Sequence, residues 1–160
     1  MSVLSDMIYI HDTRDQIGKH NNVESYLAAQ GHKVIRSKMY CGDIALFDNQ
    51  TTCIDLKKSL GEVCGNLCQQ HERFRAECVR AQEAGIRLII LVEHGGAIKS
   101  LDDVRAWVNP RLRTSPKAIT GARLAAIMET MATKYGIEWR FCRKQDTGRI
   151  IVEILQEVRT

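Results

Sequence analysis

The stretch of sequence that decides the fold is residues 42–57, which read GDIALFDNQTTCIDLK. Residues 43–48 and 51–56 predict two β-strands, and residues 48–50 tolerate the geometry of a tight turn between them. Folding one strand on the other brings Asp43 level with Asp55, to within about one residue. Side chains alternate along a strand, so Asp55 and Lys57 point to the same face. The hairpin therefore brings two carboxylates and one ammonium group to one edge of the predicted sheet.

This set of charges has a specific chemical use. Two adjacent carboxylates raise each other's pKa unless a cation lies between them, and hard oxygen ligands suit Mg²⁺, which also takes oxygens from a phosphate. A bound ion of this kind can activate water, and Lys57 could hold that water or stabilise the transition state of phosphodiester hydrolysis. The alternative is that Asp43 and Asp48 only form turns and that residues 55–57 are a solvated strand end. The hairpin alone does not decide between the two interpretations.

The elements on either side of the hairpin predict the rest of the fold. Short apolar runs predict strands at residues 7–10, 32–37, 87–92 and 137–142. Helical spacing of apolar residues predicts helices at residues 17–30, 60–84, 102–107 and 121–135, and a C-terminal helix that carries Ile151, Ile154, Leu155 and Val158. The run 87–92 is typical of a strand that is covered on both faces. The sequence therefore predicts one α/β domain, residues 1–160, with a mixed central sheet between helices.

Composition limits the class of protein. The chain has 160 residues, of which 44% are hydrophobic and 26% charged, so it can bury a substantial core. The first ten residues lack the pattern of a signal peptide, and the longest apolar run, residues 88–92, is too short to cross a membrane. We expect a cytoplasmic protein, or a nuclear one in a eukaryote, with its six cysteines reduced. The net charge of +4 permits nucleic-acid binding without proving it.

Four sequence blocks occur in a familiar order and spacing over residues 7–93. They are HDTRD at 11–15, GDI at 42–44, IDLK at 54–57 and NLCQQHERF at 66–74. These blocks resemble the V-D-x-R-E, G-D-Y, V-E-R-K and R-L-x-x-Q-x-x-R-L motifs of the XPF and Hef type of nuclease domain, within the PD-(D/E)xK superfamily. The resemblance implies a restriction-endonuclease-like fold and a DNA endonuclease that depends on Mg²⁺ or Mn²⁺. Such an enzyme would act in replication, recombination or repair, and a phage or another mobile element is one setting for it.

The resemblance also assigns roles to individual residues. Asp43 and Asp55 would bind the metal with help from Asp12, and Lys57 would be the catalytic lysine. Arg14 would be the basic neighbour of Asp12, and Gln70 and Arg73 would face phosphate or the catalytic water. The alternatives are a strand-end turn for Asp12 and an exposed helix face for Gln70 and Arg73. Glu24 is a second candidate for the third acid, ranked below Asp12.

The sequence departs from the family pattern at several positions. Asp55 and Asp15 replace glutamates, and Asn66 replaces an arginine. The family's aspartate after the lysine falls at Gly61, and Glu62 lies one position later. XPF-type enzymes usually carry paired helix-hairpin-helix elements, and we find none beyond residue 95. The resemblance therefore implies the chemistry more firmly than the choice of branched, nicked or plain DNA.

Three further features have open interpretations. Cys64, Cys68 and His71 could converge on a metal, but each residue of a helix rises about 1.5 Å, and packing of the cysteines in the core is the preferred interpretation. A basic loop at residues 109–117, with Arg111, Arg113 and Lys117, could grip the phosphate backbone or be a solvated surface. Trp107 and Trp139 are interpreted as core residues rather than base-stacking platforms.

The competing functions are a non-catalytic DNA-binding module with a degenerate nuclease fold and, less favoured, a cysteine-based metal or redox protein. We also expect a homodimer, because a chain this small would otherwise hold DNA with one shallow face.

Overall fold

A computed structural model describes residues 7–157 and has a mixed six-stranded β-sheet at its centre. The strands are β1 (Ile8–His11), β2 (Lys33–Arg36), β3 (Ile44–Leu46), β4 (Asn49–Lys57), β5 (Arg87–Glu93) and β6 (Glu138–Cys142). Their spatial order is β2-β1-β3-β4-β5-β6. Strand β3 is antiparallel to both β1 and β4, and the remaining pairs are parallel. The predicted mixed α/β fold is confirmed.

Within residues 7–157, six α-helices cover the two faces of the sheet. They are α1 (Asn21–Ala29), α2 (Leu60–Cys68), α3 (His71–Glu83), α4 (Leu101–Ala106), α5 (Gly121–Tyr135) and α6 (Thr147–Glu157). Buried residues of α2, α3, α4 and α5 form one core, and those of α1 and α6 form the other. No helix among the described residues is long and apolar enough to span a membrane.

Strand β5 joins these two cores. Leu88, Ile90 and Val92 pack into the core with α2, α3 and α5, whereas Ile89 and Leu91 pack into the core with α1 and α6. All five side chains are buried, because β5 lies between β4 and β6 with helices above and below. This position explains the continuous apolar run and confirms the prediction of an interior strand.

The prediction of one helix over residues 60–84 is wrong. Helix α2 ends at Cys68 and α3 begins at His71, because Gln70 leaves the helical region with φ −114° and ψ 34°. The N–H groups of Gln69 and Gln70 both donate to the carbonyl of Gly65, at 2.9 and 3.0 Å. Two glycines in α2 lower its helix propensity, by about 1 kcal/mol each relative to alanine. Leu67 and Phe74 keep helical spacing across the break, so periodicity does not reveal it.

Two smaller boundaries also differ from the predictions. Helix α1 begins at Asn21 rather than at residue 17, because Gly18 has a positive φ of 86° and lies in a preceding turn. The hairpin turn falls at residues 47–48 rather than 48–50, since Leu46 already pairs with Asn49. Val158, which contributed to the spacing that predicted α6, lies outside the described residues.

Helices α1 and α6 approach each other closely at Gly148. A Cβ added at this glycine would lie 2.6 Å from both Cβ and Cγ of Tyr26. The Cβ atom of Tyr26 is fixed to the backbone and cannot move aside independently. The contact between the two helices therefore requires glycine at position 148.

We expect Gly148→Ala to destabilise the protein by about 1–3 kcal/mol, the usual cost of overpacking, and to lower Tm by about 2–4 °C per kcal/mol. The matched control is Gly65→Ala in α2, where an added Cβ meets no atom within 4 Å. That substitution should stabilise the protein by about 0.5–1 kcal/mol, as alanine does in a helix. Thermal unfolding of both variants measures the difference. A Gly148→Ala protein at least as stable as the parent would contradict the packing described.

Candidate active site

The β3–β4 hairpin fixes the relative position of the two predicted carboxylates. Ile44 pairs with Ile54, so the preceding residue, Asp43, lies opposite Asp55, as predicted. The N–H of Asp43 donates to the carbonyl of Ile54 at 2.8 Å. Gly42 has a φ of 76°, and a Cβ there would lie 2.9 Å from Cβ of Cys53. Glycine is therefore required at the point where the chain enters the site.

Asp55 and Lys57 lie on the same face of β4 and contact each other. Lys57 Nζ is 2.9 Å from Asp55 Oδ2, and Asp55 is only 5% exposed. This ion pair is the close contact of the buried oxygen, to which no hydrogen bond is otherwise made within residues 7–157. Asp43 Oδ2, by contrast, accepts a hydrogen bond of 2.7 Å from the N–H of Leu56. The site thus holds one carboxylate oriented by a backbone N–H and one that contacts the ammonium group of Lys57.

The charges of this site are not balanced by protein groups alone. Burial and the nearby carboxylates of Asp55 and Asp15 raise the pKa of Asp43 well above its ordinary value. Burial alone would lower the pKa of Lys57, but Asp55 and Asp43 outweigh it and raise that pKa. One ammonium group therefore faces two carboxylates in a partly buried space. A divalent cation would relieve their repulsion.

Asp12 lies beside Asp43 at the end of β1, and its backbone N–H donates to the carbonyl of Asp43 at 2.8 Å. Its carboxylate is already engaged by Arg14, whose Nε and Nη2 both donate to Oδ2 at 3.0 and 2.5 Å. Glu24 lies elsewhere and contacts His11 Nδ1 at 3.0 Å, so it does not line the cleft. The structure thus brings Asp12, and not Glu24, to the predicted site.

Asp15, in the same block as Asp12, also reaches the cleft. Its Oδ2 is 2.7 Å from His11 Nε2 and 3.5 Å from His20 Nε2. Burial alone would raise the pKa of Asp15, but the hydrogen bond with His11 and the charges of His20 and Lys19 lower it. Asp15 therefore remains an anion beside the two metal-ligand candidates.

The cleft has a volume of about 640 Å³, and α3 forms one wall of it. Gln70 and Arg73, both expected to face phosphate or the catalytic water, line this wall, as does Arg80. Glu77 also lines it and was missed by the sequence reasoning. Its spacing of seven and four residues after Gln70 and Arg73 was the signal that could have placed it on the same helix face.

Glu77 brings a further carboxyl group to the site. Burial and the charge of Asp55 raise its pKa to about 7. Glu62, the possible substitute for the family's aspartate, also lines the cleft and lies 3.4 Å from Lys19. The cleft is therefore rich in oxygen ligands on its floor and in basic groups at Arg14, Arg73 and Arg80.

These residues fit a hard divalent cation. Asp43 and Asp55 offer carboxylate oxygens, one of them a buried atom without a hydrogen bond. Mg²⁺ is commonly held by one or two carboxylates together with waters and phosphate oxygens. No three Asp, Glu, His or Cys side chains in the described part of the chain converge as a complete ligand set. The fit is therefore to an ion that shares its ligands with solvent or substrate.

The cysteines do not form a metal site within the described residues. Cys64 and Cys78 are buried in the core, as preferred, whereas Cys68 is exposed. His71 is exposed on a separate helix, because α2 ends before it. The break between α2 and α3 thus removes the convergence that the single predicted helix allowed.

The basic loop does not reach the carboxylates. Arg111 and Lys117 line a second cavity beside the cleft, and Arg113 is exposed. The neighbouring Arg105 is paired with Asp102 and with Glu129. The structure therefore leaves Arg111, Arg113 and Lys117 as the exposed cations of this loop.

A mixed sheet with carboxylates and a lysine on its central hairpin defines the class of restriction-endonuclease-like proteins. The sequence matches the ERCC4 domain over residues 12–154, and the chain belongs to this family. This match confirms the resemblance to XPF and Hef type domains. A search of curated proteins found no significant match.

Solved structures agree on the fold. XPF from Aeropyrum pernix superposes with a TM-score of 0.68 at 19% identity, covering 95% of this chain and 65% of that one. XPF from Aeropyrum pernix in complex with DNA gives a TM-score of 0.67 at 19% identity, covering 96% and 65%. The chain thus spans about 65% of the length of these proteins.

The raised pKa of Glu77 predicts a pH-dependent stability of the metal-free protein. Its folded pKa of about 7 lies above the ordinary value of 4.5, so the stabilising contribution is complete below pH 4.5 and is lost as pH rises through about 7. We expect Glu77→Gln to be more stable than the parent at pH 8, by about 1 kcal/mol or roughly 2–4 °C in Tm.

Thermal unfolding in EDTA at pH 5 and pH 8 measures this difference. The matched control is Glu83→Gln, at an exposed position on the same helix, which should keep the pH dependence of the parent. An unchanged pH dependence in Glu77→Gln would show that the carboxyl group is not destabilised by its surroundings.

Proposed function

We propose that this chain is a divalent-metal-dependent DNA endonuclease that hydrolyses phosphodiester bonds. The observation that carries the proposal is that the buried Asp55 carboxylate and the neighbouring Asp43 carboxylate share one ammonium group, that of Lys57, which contacts Asp55 Oδ2. Two neighbouring carboxylates that share a single ammonium group in a buried site are costly unless a further cation compensates them. Membership of the ERCC4 domain family supports the same conclusion.

Asp43 and Asp55 would hold Mg²⁺ or Mn²⁺, and Glu77 lines the same cleft. When bound, the ion would lower the pKa of a water molecule and neutralise charge that develops on the phosphate. Asp12 is the third acid of the proposal. Because Arg14 already holds its carboxylate, we infer that Asp12 contributes mainly by positioning that guanidinium at the cleft.

The remaining side chains act on water and phosphate. Lys57, kept protonated by Asp55 and Asp43, presents N–H donors that can orient the attacking water and stabilise the negative transition state. The Arg14 side chain is 48% exposed at the mouth of the cleft, where it can contact a phosphate oxygen. Gln70, just before α3, and Arg73 within α3 offer further donors.

DNA is the proposed substrate, and the XPF structure in complex with DNA supports it. Arg111, Arg113 and Lys117 would contact the phosphate backbone away from the reacting bond. We further propose that the enzyme acts as a homodimer on branched or nicked DNA in replication, recombination or repair. A second copy would supply the duplex contacts that one cleft on one face cannot.

The second candidate function is a non-catalytic DNA-binding module. The observation in its favour is that Arg14 occupies the carboxylate of Asp12, and that no three acidic or histidine side chains within residues 7–157 form a complete ligand set. A module of this kind would keep the fold and the basic surface but would neither bind metal at Asp43 nor turn over DNA.

We expect Lys57→Ala and Asp43→Asn each to lower cleavage by at least about 10²-fold, the usual loss when a transition-state donor is removed. The assay is a panel of nicked, branched, single-stranded and duplex DNA with Mg²⁺ and with Mn²⁺. Lys58→Ala, at the exposed neighbouring position, is the matched control and should keep parental activity. Retained cleavage by correctly folded Lys57→Ala would remove that lysine from the mechanism.

Calorimetric titration with Mn²⁺ separates the two candidate functions. The parent should bind the ion, and Asp43→Asn should lose at least about tenfold in affinity, because one charged ligand is removed. Asp48→Asn, in the turn of the same hairpin, should bind like the parent. Equal binding by the parent and Asp43→Asn, or no binding by either, would favour the non-catalytic module.

A further inference from the structure

A second cavity, of about 460 Å³, lies between α2 and residues 107–119. Its walls include the half-buried Trp107, together with His94, Cys64 and Ile119. Small-molecule sites are commonly concave, largely apolar and of this size. The cavity is therefore large enough for a flat aromatic ligand.

The charges around this cavity differ from those of the catalytic cleft. Arg111 and Lys117 are the charged side chains among the described residues that line it, and no carboxylate does. A ligand with an aromatic body and an anionic group matches this combination. A nucleotide has both, since its base can stack on an aromatic ring while its phosphate pairs with the two cations.

His94 adds a directed donor to the aromatic wall. Its Nδ1 accepts a hydrogen bond of 3.1 Å from the N–H of Leu60, which leaves the ring proton on Nε2. Burial lowers the pKa of His94, so the ring is neutral. It meets Trp107 edge to face, with centroids 5.9 Å apart, and so fixes the orientation of the indole.

The two tryptophans have different roles. Trp139 donates its indole N–H to the carbonyl of Met128 at 2.9 Å and packs 6.0 Å from Phe74 in the core. Trp107 packs partly against the same core but also lines the cavity. The prediction that both are core residues is therefore confirmed for Trp139, whereas Trp107 contacts the core with one side and lines the cavity with the other.

The cavity adjoins the catalytic cleft. Gly65 and Gln69 line both, so one turn of α2 separates them. A Cβ added at Gly65 would meet no atom within 4 Å, which shows that the ridge is open at this point. A DNA strand whose scissile phosphate lies near Asp43 and Asp55 can therefore pass a neighbouring nucleotide across Gly65.

We propose that this cavity binds one unpaired nucleotide of the cleaved strand, with its base stacked on Trp107 and its phosphate held by Arg111 and Lys117. The inference rests on the proposed function and adds to it a binding site for an unpaired nucleotide. DNA with an unpaired nucleotide beside the scissile bond is preferred over continuous duplex, because a paired base cannot leave its stack without an energetic cost.

The test measures binding with the chemistry removed. The protein is the full chain with Lys57→Ala and Trp139→Phe, so that Trp107 is the remaining tryptophan. The probe is a single-stranded oligothymidylate of about twelve nucleotides in Mg²⁺, and its control is an abasic strand of the same length. Oligothymidylate should quench Trp107 fluorescence and bind about 5- to 100-fold more tightly than the abasic strand, as expected for one stacked base.

Two substitutions complete the cycle, with strand binding measured by fluorescence anisotropy of labelled oligonucleotides. Trp107→Ala should lose that preference for bases without lowering the affinity for the abasic strand. Gly65→Leu should lose it with Trp107 intact, which excludes misfolding at the tryptophan as the cause. Equal affinity for the two strands, or an unchanged preference in both variants, would overturn the inference. So would a dimer that dissociates on Trp107→Ala, since a second copy would then occupy the cavity.

These outcomes are independent of catalysis. An inactive parent whose binding still depends on Trp107 would contradict the proposed function and keep the nucleotide site. A parent protein that cleaves DNA but shows no preference for the strand with bases would support the proposed function and contradict the nucleotide site.

Discussion

The structure depends on holding Asp43 and Asp55 side by side at the two middle strands of the sheet, in a partly buried site where Lys57 is the nearby cation. Like charges in a low-dielectric site are stable only when they are fixed and compensated. The hairpin fixes them through the N–H of Leu56 and the required glycine at position 42, and the two cores on either side of β5 hold β4 in place. The compensation is incomplete within the protein, and that deficit gives the site its affinity for a cation.

The acidic side chains around the site fall into two groups, those paired with basic side chains of the protein and those that face the cleft. Arg14 neutralises Asp12, and His11 and His20 flank Asp15, so the outer acids are satisfied by the protein. Asp43, Asp55 and Glu77 are left to face the cleft, while cations at its rim can meet phosphate. Beyond Gly65 the lining changes from carboxylates to an aromatic ring with two cations. A metal ion in the cleft and a nucleotide in the second cavity can thus bind side by side, because the carboxylates line the cleft and the two cations line the second cavity.

Sequence reasoning reached the parts of the molecule that follow local rules. Alternation along β4 gave the shared face of Asp55 and Lys57, and the apolar run of β5 gave its interior position. The break at residues 69–70 was missed because Leu67 and Phe74 keep helical spacing across it. Glu77 and the role of Trp107 were missed because each depends on how distant elements pack, which a periodic pattern does not contain.

The central claim is that Asp43 and Asp55 together bind a catalytic cation, and a crystal soaked in Mn²⁺ tests it most directly. We predict one anomalous difference peak within about 2.0–2.4 Å of a carboxylate oxygen of each residue, with waters completing the coordination. Oδ2 of Asp55, which contacts Lys57 in the metal-free arrangement, should then gain the metal ion as a partner. An anomalous peak elsewhere in the protein, or no peak while Asp55 keeps only its contact with Lys57, would contradict the account.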